Sequence, residues 1–186
     1  MEPLSSAIGL PLYWVQNKAF GRQFELRAKN MLFGTLRFEQ ALGTLATAES
    51  ESGSWTLKRV GFLNVRVTIR EAGRTDDLAV YWPRLWGDGW LETSRGSRFH
   101  WLSTNFWRTE WGFAQSDDRP LFVMKKGTEE PTLSDLLKSQ AVVEIEPEGN
   151  GLEEISLLLM LGWYLMILHQ EDTMVGTTAA ITAVTS

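Results

Sequence analysis

The residues best placed for ligand chemistry are three basic side chains, Lys58, Arg66 and Arg70. They fall on a predicted β-hairpin with a loop at 61–63, which sets Lys58 opposite Arg66. Apolar and polar residues alternate along both strands, so this register places all three cations on the outer face. Like charges on adjacent strands repel, and a bound anion would relieve that repulsion. The alternative is a solvated face whose charges pair with carboxylates of a neighbouring strand.

The same register puts Arg59 on the apolar face of the hairpin, next to the turn. An inward-facing arginine needs a carboxylate or carbonyl partner, because burying an unpaired charge is costly. Glu153 and Glu154 come just before a long apolar segment and are candidate partners. We therefore predict a structural pair that anchors this segment to the hairpin. The alternative is a bulge that turns Arg59 towards solvent.

Patterns of catalytic or metal-binding residues are missing from the sequence. It contains no cysteine and two histidines, His100 and His169. Neither histidine has the Ser and Asp partners of a triad or the spacing of a metal site, and no glycine-rich phosphate loop occurs. We predict no catalytic residue, no metal and no cofactor, and hence no enzymatic activity. The lack of cysteine fits a reducing compartment.

Nine tryptophans are present, and Trp82, Trp86 and Trp90 stand close together in the chain. Such a group could form a platform on which sugar rings stack. Tryptophans bury large areas, however, and at this density packing within a β-structure is the favoured interpretation.

The segment that must organise the fold is 155–168, which is apolar on every side. A helix of this kind is enclosed either by protein or by lipid. The uncharged run 155–170 would span about 24 Å as a helix, against about 30 Å of membrane hydrocarbon. Its flanks are acidic, whereas membrane anchors usually carry Lys or Arg. We predict a core helix at about 152–170 and keep membrane insertion as the alternative.

The chain before this helix is predicted to form about twelve short strands. One hairpin has a loop at 94–96 and pairs Leu91 with Phe99; residues 106–114 form a further strand with Trp107 and Trp111 on one face. Residues 133–137 form a strand or a helical turn. Twelve antiparallel strands favour a closed barrel, and a barrel this wide needs something inside it.

The predicted fold class is therefore mainly β: a closed antiparallel β-barrel of about twelve strands that encloses one C-terminal hydrophobic helix. We expect a leader at 1–10, a single barrel domain at 11–170 and a flexible tail at 171–186. Charge is uneven, since residues 1–126 hold 17 basic and 13 acidic residues and residues 127–186 hold one and 10. No concentrated basic patch indicates nucleic-acid binding.

Three segments carry a resemblance to a known family: Trp55-Thr-Leu-Lys-Arg-Val-Gly-Phe-Leu-Asn64, Ser103-Thr-Asn-Phe-Trp-Arg-Thr-Glu-Trp111 and Leu161-Gly-Trp-Tyr-Leu165. Together with the strand meander and the terminal helix, they resemble uncharacterised bacterial members of the tubby C-terminal-like superfamily. That group includes tubby domains, phospholipid scramblases and LURP-one-related proteins. The resemblance implies a twelve-stranded barrel around a central helix.

Function is less directly implied by this resemblance. Tubby domains bind phosphoinositides through basic side chains on the barrel exterior, but no motif here maps that site. Scramblases carry an acidic calcium segment and a cysteine-rich region, and neither is present in this sequence.

We expect a cytoplasmic, non-enzymatic module that binds anionic phospholipid headgroups such as phosphoinositides. Such binding would place it peripherally at a membrane. The alternatives are a protein-interaction or regulatory scaffold and, less favoured, a carbohydrate-binding or hydrolytic barrel.

Overall fold

Antiparallel strands close into a barrel around one helix in this computed structural model. It describes residues 1–18, 21–84, 87–115, 119–127 and 139–184, with side chains as far as Thr173. The strands are β1 (Leu12–Gln16), β2 (Gln23–Ala28), β3 (Met31–Phe38), β4 (Ala46–Ser50), β5 (Gly53–Val60), β6 (Arg66–Glu71), β7 (Ala79–Pro83), β8 (Gly89–Thr93), β9 (Arg98–Ser103), β10 (Glu110–Ala114), β11 (Phe122–Lys126) and β12 (Ala141–Ile145).

Each strand pairs with its neighbours in sequence, and β1 pairs with β12 to close the barrel. The closing register sets Leu12 opposite Val143. Residues alternate between the core and the outside along most strands, as in β1, whose pattern runs from buried Leu12 to buried Gln16. The predicted closed barrel of twelve antiparallel strands is confirmed. The segment 133–137 lies outside the described residues.

Helix α1 (Ile155–Val184) passes through the middle of the barrel. Its first fourteen residues are almost wholly buried; Leu158, Leu159 and Leu161 have no exposed area. The prediction of a hydrophobic core helix is confirmed, because an apolar surface on all sides is covered by the inward side chains of the strands. Among the described residues, no helix combines the length and apolar character needed to cross a membrane.

The helix differs from the prediction at both ends. It begins at Ile155 rather than 152, after a short 3₁₀ turn (Pro147–Gly149), so Glu153 and Glu154 precede it. Its backbone continues to Val184, through most of the segment predicted as a tail, and residues 185–186 lie outside the described part. The predicted leader contains another 3₁₀ turn (Leu4–Ala7), whose Ala7 is buried.

The two predicted hairpins have different outcomes. The β8–β9 pair matches its predicted register, with Leu91 opposite Phe99, and Gly96 has the expected positive φ of 89°. In the β5–β6 pair the loop is longer than predicted, so Lys58 lies opposite Thr68 rather than Arg66. The shift is two residues, which keeps every side chain on its predicted face because side chains alternate with period two.

The predicted strand at 106–114 is wrong over its first four residues. Strand β10 begins at Glu110, and Trp107 lies in an exposed loop. The cause is the side chain of Asn105, whose Oδ1 accepts hydrogen bonds from the backbone N–H groups of Thr109 (3.0 Å) and Glu110 (3.3 Å). Such side-chain bonds compete with strand pairing and stabilise a tight loop.

Candidate functional site

The two ends of the barrel are distinguished by the helix. Consecutive strands are antiparallel, so the connections that follow β1, β3, β5, β7, β9 and β11 all lie at one end, which we call the exit end. Helix α1 enters at the opposite end after β12. Its residues 171 and 172 contact Arg22 and Arg59 at the exit end. The candidate site is built from this exit end.

At the exit end the helix is held against strands β1–β5. The ring of Trp163 stacks on Trp14 with centroids 5.7 Å apart, and the ring of Tyr164 stacks on Phe38 at 5.4 Å. Gly34 permits close approach, since a Cβ atom there would lie 2.2 Å from the terminal methyl of Met160. These contacts fix the helix against strands β1–β3.

Polar contacts reinforce this seating. The hydroxyl of Tyr164 donates to the carbonyl oxygen of Thr44 (2.7 Å) and accepts from the backbone N–H of Arg59 (3.0 Å). Burial raises the pKa of Tyr164 above its ordinary value, so the hydroxyl keeps its proton and both bonds. Arg22 also contacts Glu171 at 2.8 Å.

Arg59 does contact the helix, but the predicted partners were wrong. Its guanidinium pairs with Asp172 at 2.7 Å. Glu153 instead pairs with Arg95 at 2.6 Å, and Glu154 accepts a hydrogen bond from Ser97 at 3.2 Å. The reason is direction: β5 ends at the exit end, whereas the two glutamates lie where the helix enters.

A cavity of about 740 Å³ opens on the other side of the helix, between α1 and strands β5–β11. We call it the exit cavity. Its apolar wall contains Val67, Tyr81, Trp101 and Trp111, with Leu165, Met166 and Leu168 from the helix. The helix also packs on the wall beside the cavity, since a Cβ atom on Gly162 would lie 3.0 Å from the Trp101 ring. Its volume lies within the range of about 300–1,000 Å³ typical of small-molecule sites.

The polar groups of the exit cavity are mainly cationic. Arg59, Arg84, Arg108 and Lys126 line it, together with the imidazole of His169 and with Asp172, which is already paired with Arg59. Burial lowers the pKa of Lys126, since the strand directs its amine towards apolar surroundings. Among the described residues, Lys126 has no ion-pair partner. Excess positive charge beside an apolar wall favours an anionic, amphipathic occupant.

Gly87 forms part of the cavity rim and approaches two aromatic side chains. A Cβ atom at this position would lie 3.3 Å from the Trp111 ring and 3.8 Å from the imidazole of His169. The φ of Gly87 is +87°, a conformation that glycine adopts without strain. Glycine therefore lets the β7–β8 connection pass close to the helix at the cavity mouth.

The exit end also exposes large apolar side chains. In the described part of the chain ten large hydrophobic residues are exposed, and all but Met1 and Ile8 belong to this end. Five of them have 79–101% of their area exposed: Leu42, Phe62, Leu63, Phe106 and Trp107. They lie in three separate loops, after β3, β5 and β9. Exposed apolar groups gathered at one place indicate an interaction surface.

Charge differs between the two ends as well. Among the described residues of the exit-end connections there are four basic residues and two acidic ones. The connections and N-terminal segment at the other end hold four basic and eight acidic residues. Glu171 and Asp172 of the helix reach the exit end, but each is paired with an arginine. Within the described part of the chain, the exit end is thus the less acidic of the two.

The predicted anionic-ligand residues lie together on the outer face of β5–β6, as alternation requires. Arg70 is paired with Asp77 at 2.7 Å, and the guanidinium of Arg66 lies 5.7 Å from the centre of the Trp82 ring. Lys58 is exposed. These contacts resemble the solvated-face alternative more than a preformed anion site, because one of the three charges is already neutralised and another lies over an aromatic ring.

The tryptophans considered for sugar stacking are already in contact with protein groups. Trp82 is the ring beneath Arg66, and Trp90 stacks on His100 at 4.3 Å with Arg98 also close. Trp86 lies outside the described residues. No group of three or more His, Asp or Glu residues able to hold a metal ion occurs in the described part of the chain.

Comparison of the chain with protein-family models, curated proteins and solved structures finds no match. The resemblance to the tubby C-terminal-like superfamily stays a prediction from the sequence.

The exit cavity and the apolar loop tips were missed at the sequence level. The cavity is lined by residues from distant strands and from the helix, and no local pattern in the sequence shows that they meet. The loop tips had a usable signal: the pairs Phe62-Leu63 and Phe106-Trp107 both sit beside turn residues, where adjacent apolar side chains have no core to enter.

Proposed function

We propose that this protein is a non-enzymatic module that docks on anionic membrane surfaces with its exit end towards the lipid. The single observation that carries this proposal is the concentration of exposed apolar side chains in three loops at that end. Phe62, Leu63, Phe106 and Trp107 would lose few protein contacts on entering a lipid interface, because 79–95% of the area of each is already exposed.

The loop tips are chemically suited to a membrane interface. Transfer of a Leu or Phe side chain from water to an apolar environment contributes at most about 1.5–3 kcal/mol. Tryptophan is favoured at the boundary between water and lipid because its ring is both apolar and a hydrogen-bond donor. If each of the four side chains contributed only half of this transfer free energy, their sum would still support reversible attachment to a membrane.

Charge supports anionic lipid as the partner. Lys18, Arg84 and Arg108 lie in the same set of connections, and a basic residue near an anionic leaflet contributes about 1 kcal/mol. The opposite end, with its excess of carboxylates, would be repelled. The helix also leaves the barrel at the exit end, and residues 173–186 carry no charged side chain.

Co-sedimentation tests the proposal with vesicles of phosphatidylcholine alone, with added phosphatidylserine, or with added phosphoinositide. We expect the protein to pellet with both anionic preparations. Phe62→Ser/Leu63→Ser and Phe106→Ser/Trp107→Ser should each reduce binding by roughly tenfold or more, since about 1.4 kcal/mol corresponds to a factor of ten. Ile8→Ser is the matched control, because Ile8 is exposed but lies at the other end.

Several results would contradict the proposal. Failure to pellet with any anionic vesicle would do so, and would favour a protein partner for the apolar loops. Equal losses for Ile8→Ser and the loop variants would remove the role of the exit end. The triple variant Lys58→Glu/Arg66→Glu/Arg70→Glu tests the outer-face patch: loss of binding there, with loop variants unaffected, would move the docking surface to the side of the barrel.

A further inference from the structure

We infer that the exit cavity binds a single anionic amphiphile, a molecule that carries one carboxylate or phosphate group on an apolar body. This goes beyond membrane docking, because the cavity lies between the helix and the inner wall and its occupant would be one molecule. The inference rests on three features of the cavity: its apolar floor, its excess of cationic side chains and its volume.

The apolar wall belongs to rigid elements. Val67, Tyr81 and Trp101 are at most 2% exposed and project from the strands β6, β7 and β9. Met166 and Leu168 project from the helix on the facing side. Because strands and helix hold both walls, the space is preformed, and an apolar ligand body would not have to order a loop before binding.

The cationic groups lie where the cavity meets the solvent. Lys126 is the last residue of β11, and Arg84 directly follows β7. Arg84 approaches Asp88 only at 3.8 Å, which leaves its guanidinium donors available, and Lys126 has no ion-pair partner among the described residues. Arg108 lies over the Trp111 ring at 5.4 Å. A head group at the mouth would therefore meet the cations of Arg84 and Lys126, whereas Asp172, the carboxylate among the described lining residues, is held by Arg59.

Lys126 is the cation that discriminates best between ligands. Its amine occupies partly apolar surroundings that disfavour its charged form, and a bound anion would remove that penalty. The adjacent Lys125 has the opposite orientation. Both lysines are exposed, but Lys125 lies 3.6 Å from Glu110 on the outer surface, whereas Lys126 lines the cavity. This pair of neighbouring lysines provides a matched comparison within one strand.

Three probes separate the contribution of the apolar chain from that of the anionic group. They are decanoate, 1-decanol and inorganic phosphate, each titrated without vesicles and below micelle-forming concentrations. Isothermal titration calorimetry gives the stoichiometry, and tryptophan fluorescence reports on Trp101 and Trp111. We expect decanoate to bind 1:1 and at least tenfold more tightly than 1-decanol, because a charge-assisted hydrogen bond is roughly twice as strong as a neutral one. Phosphate alone should bind at least tenfold more weakly than decanoate.

Three variants test the assignment of the cavity as the binding site. Lys126→Met should weaken decanoate binding roughly tenfold and leave 1-decanol binding within about twofold, while Lys125→Met should change neither. Leu165→Phe narrows the cavity and should weaken both decanoate and 1-decanol. Leu165 is only partly buried, so this variant should still fold, which far-UV circular dichroism will establish.

The inference is overturned if decanoate does not bind, if 1-decanol binds as tightly as decanoate, or if Lys125→Met and Lys126→Met have the same effect. Tight binding of phosphate alone would replace the amphiphile with a small-anion site. Because no vesicle is present, these outcomes are separate from success or failure of membrane docking. A protein that binds decanoate but not vesicles would keep the cavity assignment and lose the docking proposal.

Discussion

Removal of one hydroxyl group, by Tyr164→Phe, tests how the helix is seated in the barrel. The Tyr164 hydroxyl makes two hydrogen bonds, to the Thr44 carbonyl and from the Arg59 backbone N–H. Phenylalanine keeps the ring stacked on Phe38 and leaves both backbone groups without that partner. An unsatisfied buried polar group costs about 1–3 kcal/mol. Both groups are only partly buried, so water can replace some of the loss, and we expect about 2–3 kcal/mol in total.

The matched comparison is Asp172→Asn, which removes the ion pair with Arg59 on the same side of the helix. That pair is short, at 2.7 Å, but the aspartate side chain is 56% exposed. Pairs accessible to solvent contribute at most about 1 kcal/mol, because water and salt screen them and two side chains must be ordered. The tyrosine contacts, at 2.7 and 3.0 Å, should therefore stabilise the fold more than the ion pair at 2.7 Å.

Urea unfolding, followed by tryptophan fluorescence and far-UV circular dichroism, measures both variants against the wild-type chain. Coincident transitions and an unchanged dependence on urea are required before free energies are compared. A cost below about 0.5 kcal/mol for Tyr164→Phe, or a larger cost for Asp172→Asn, would refute the reasoning. It would mean that the helix is held by packing and charge rather than by the buried hydroxyl.

Further predictions concern close backbone contacts and pH. Gly112→Ala should destabilise the barrel more than Gly34→Ala in thermal unfolding, because its Cβ atom would lie 2.1 Å from the backbone oxygen of Phe122, whereas that of Gly34 mainly meets the movable methyl of Met160. Equal shifts in melting temperature would contradict this ordering. Decanoate affinity should be highest while Lys126 is protonated and should fall as the pH rises through its lowered pKa; calorimetry should show no such alkaline fall in Lys126→Met.

Much of the architecture follows from patterns that a single sequence contains. The apolar segment within α1 has no polar face, so we expected it to be buried. The periodicity of the preceding segments predicted the strands that surround it. The β8–β9 register was correct because a short loop with Gly96 leaves few alternatives. The β5–β6 register was two residues wrong because alternation determines the face of each residue but is unchanged by a two-residue shift.

The sequence did not predict which residues contact the two ends of the helix. Arg59 was correctly assigned to the inner face and to a contact with the helix, but it was paired with the wrong end. The direction in which β5 runs relative to α1 decides between Glu153 and Asp172, and that direction depends on counting every strand before the helix. Trp107 was misplaced for a local reason, since a single side chain, Asn105, ended the strand pattern early.

The pairing of β1 with β12 has a consequence for how the protein is made. Leu12 and Val143 are about as distant in sequence as any two strand residues of this chain, and the helix that fills the barrel comes later still. A ribosome synthesises the chain from the N-terminus. Strand β1 therefore emerges long before β12, with which it closes the barrel, and all twelve strands emerge before helix α1. Contacts of such long sequence separation form slowly and leave apolar strands exposed meanwhile. We expect the barrel to close around the helix only after the last third of the chain has left the ribosome. Until then, chaperones would cover the exposed apolar strands.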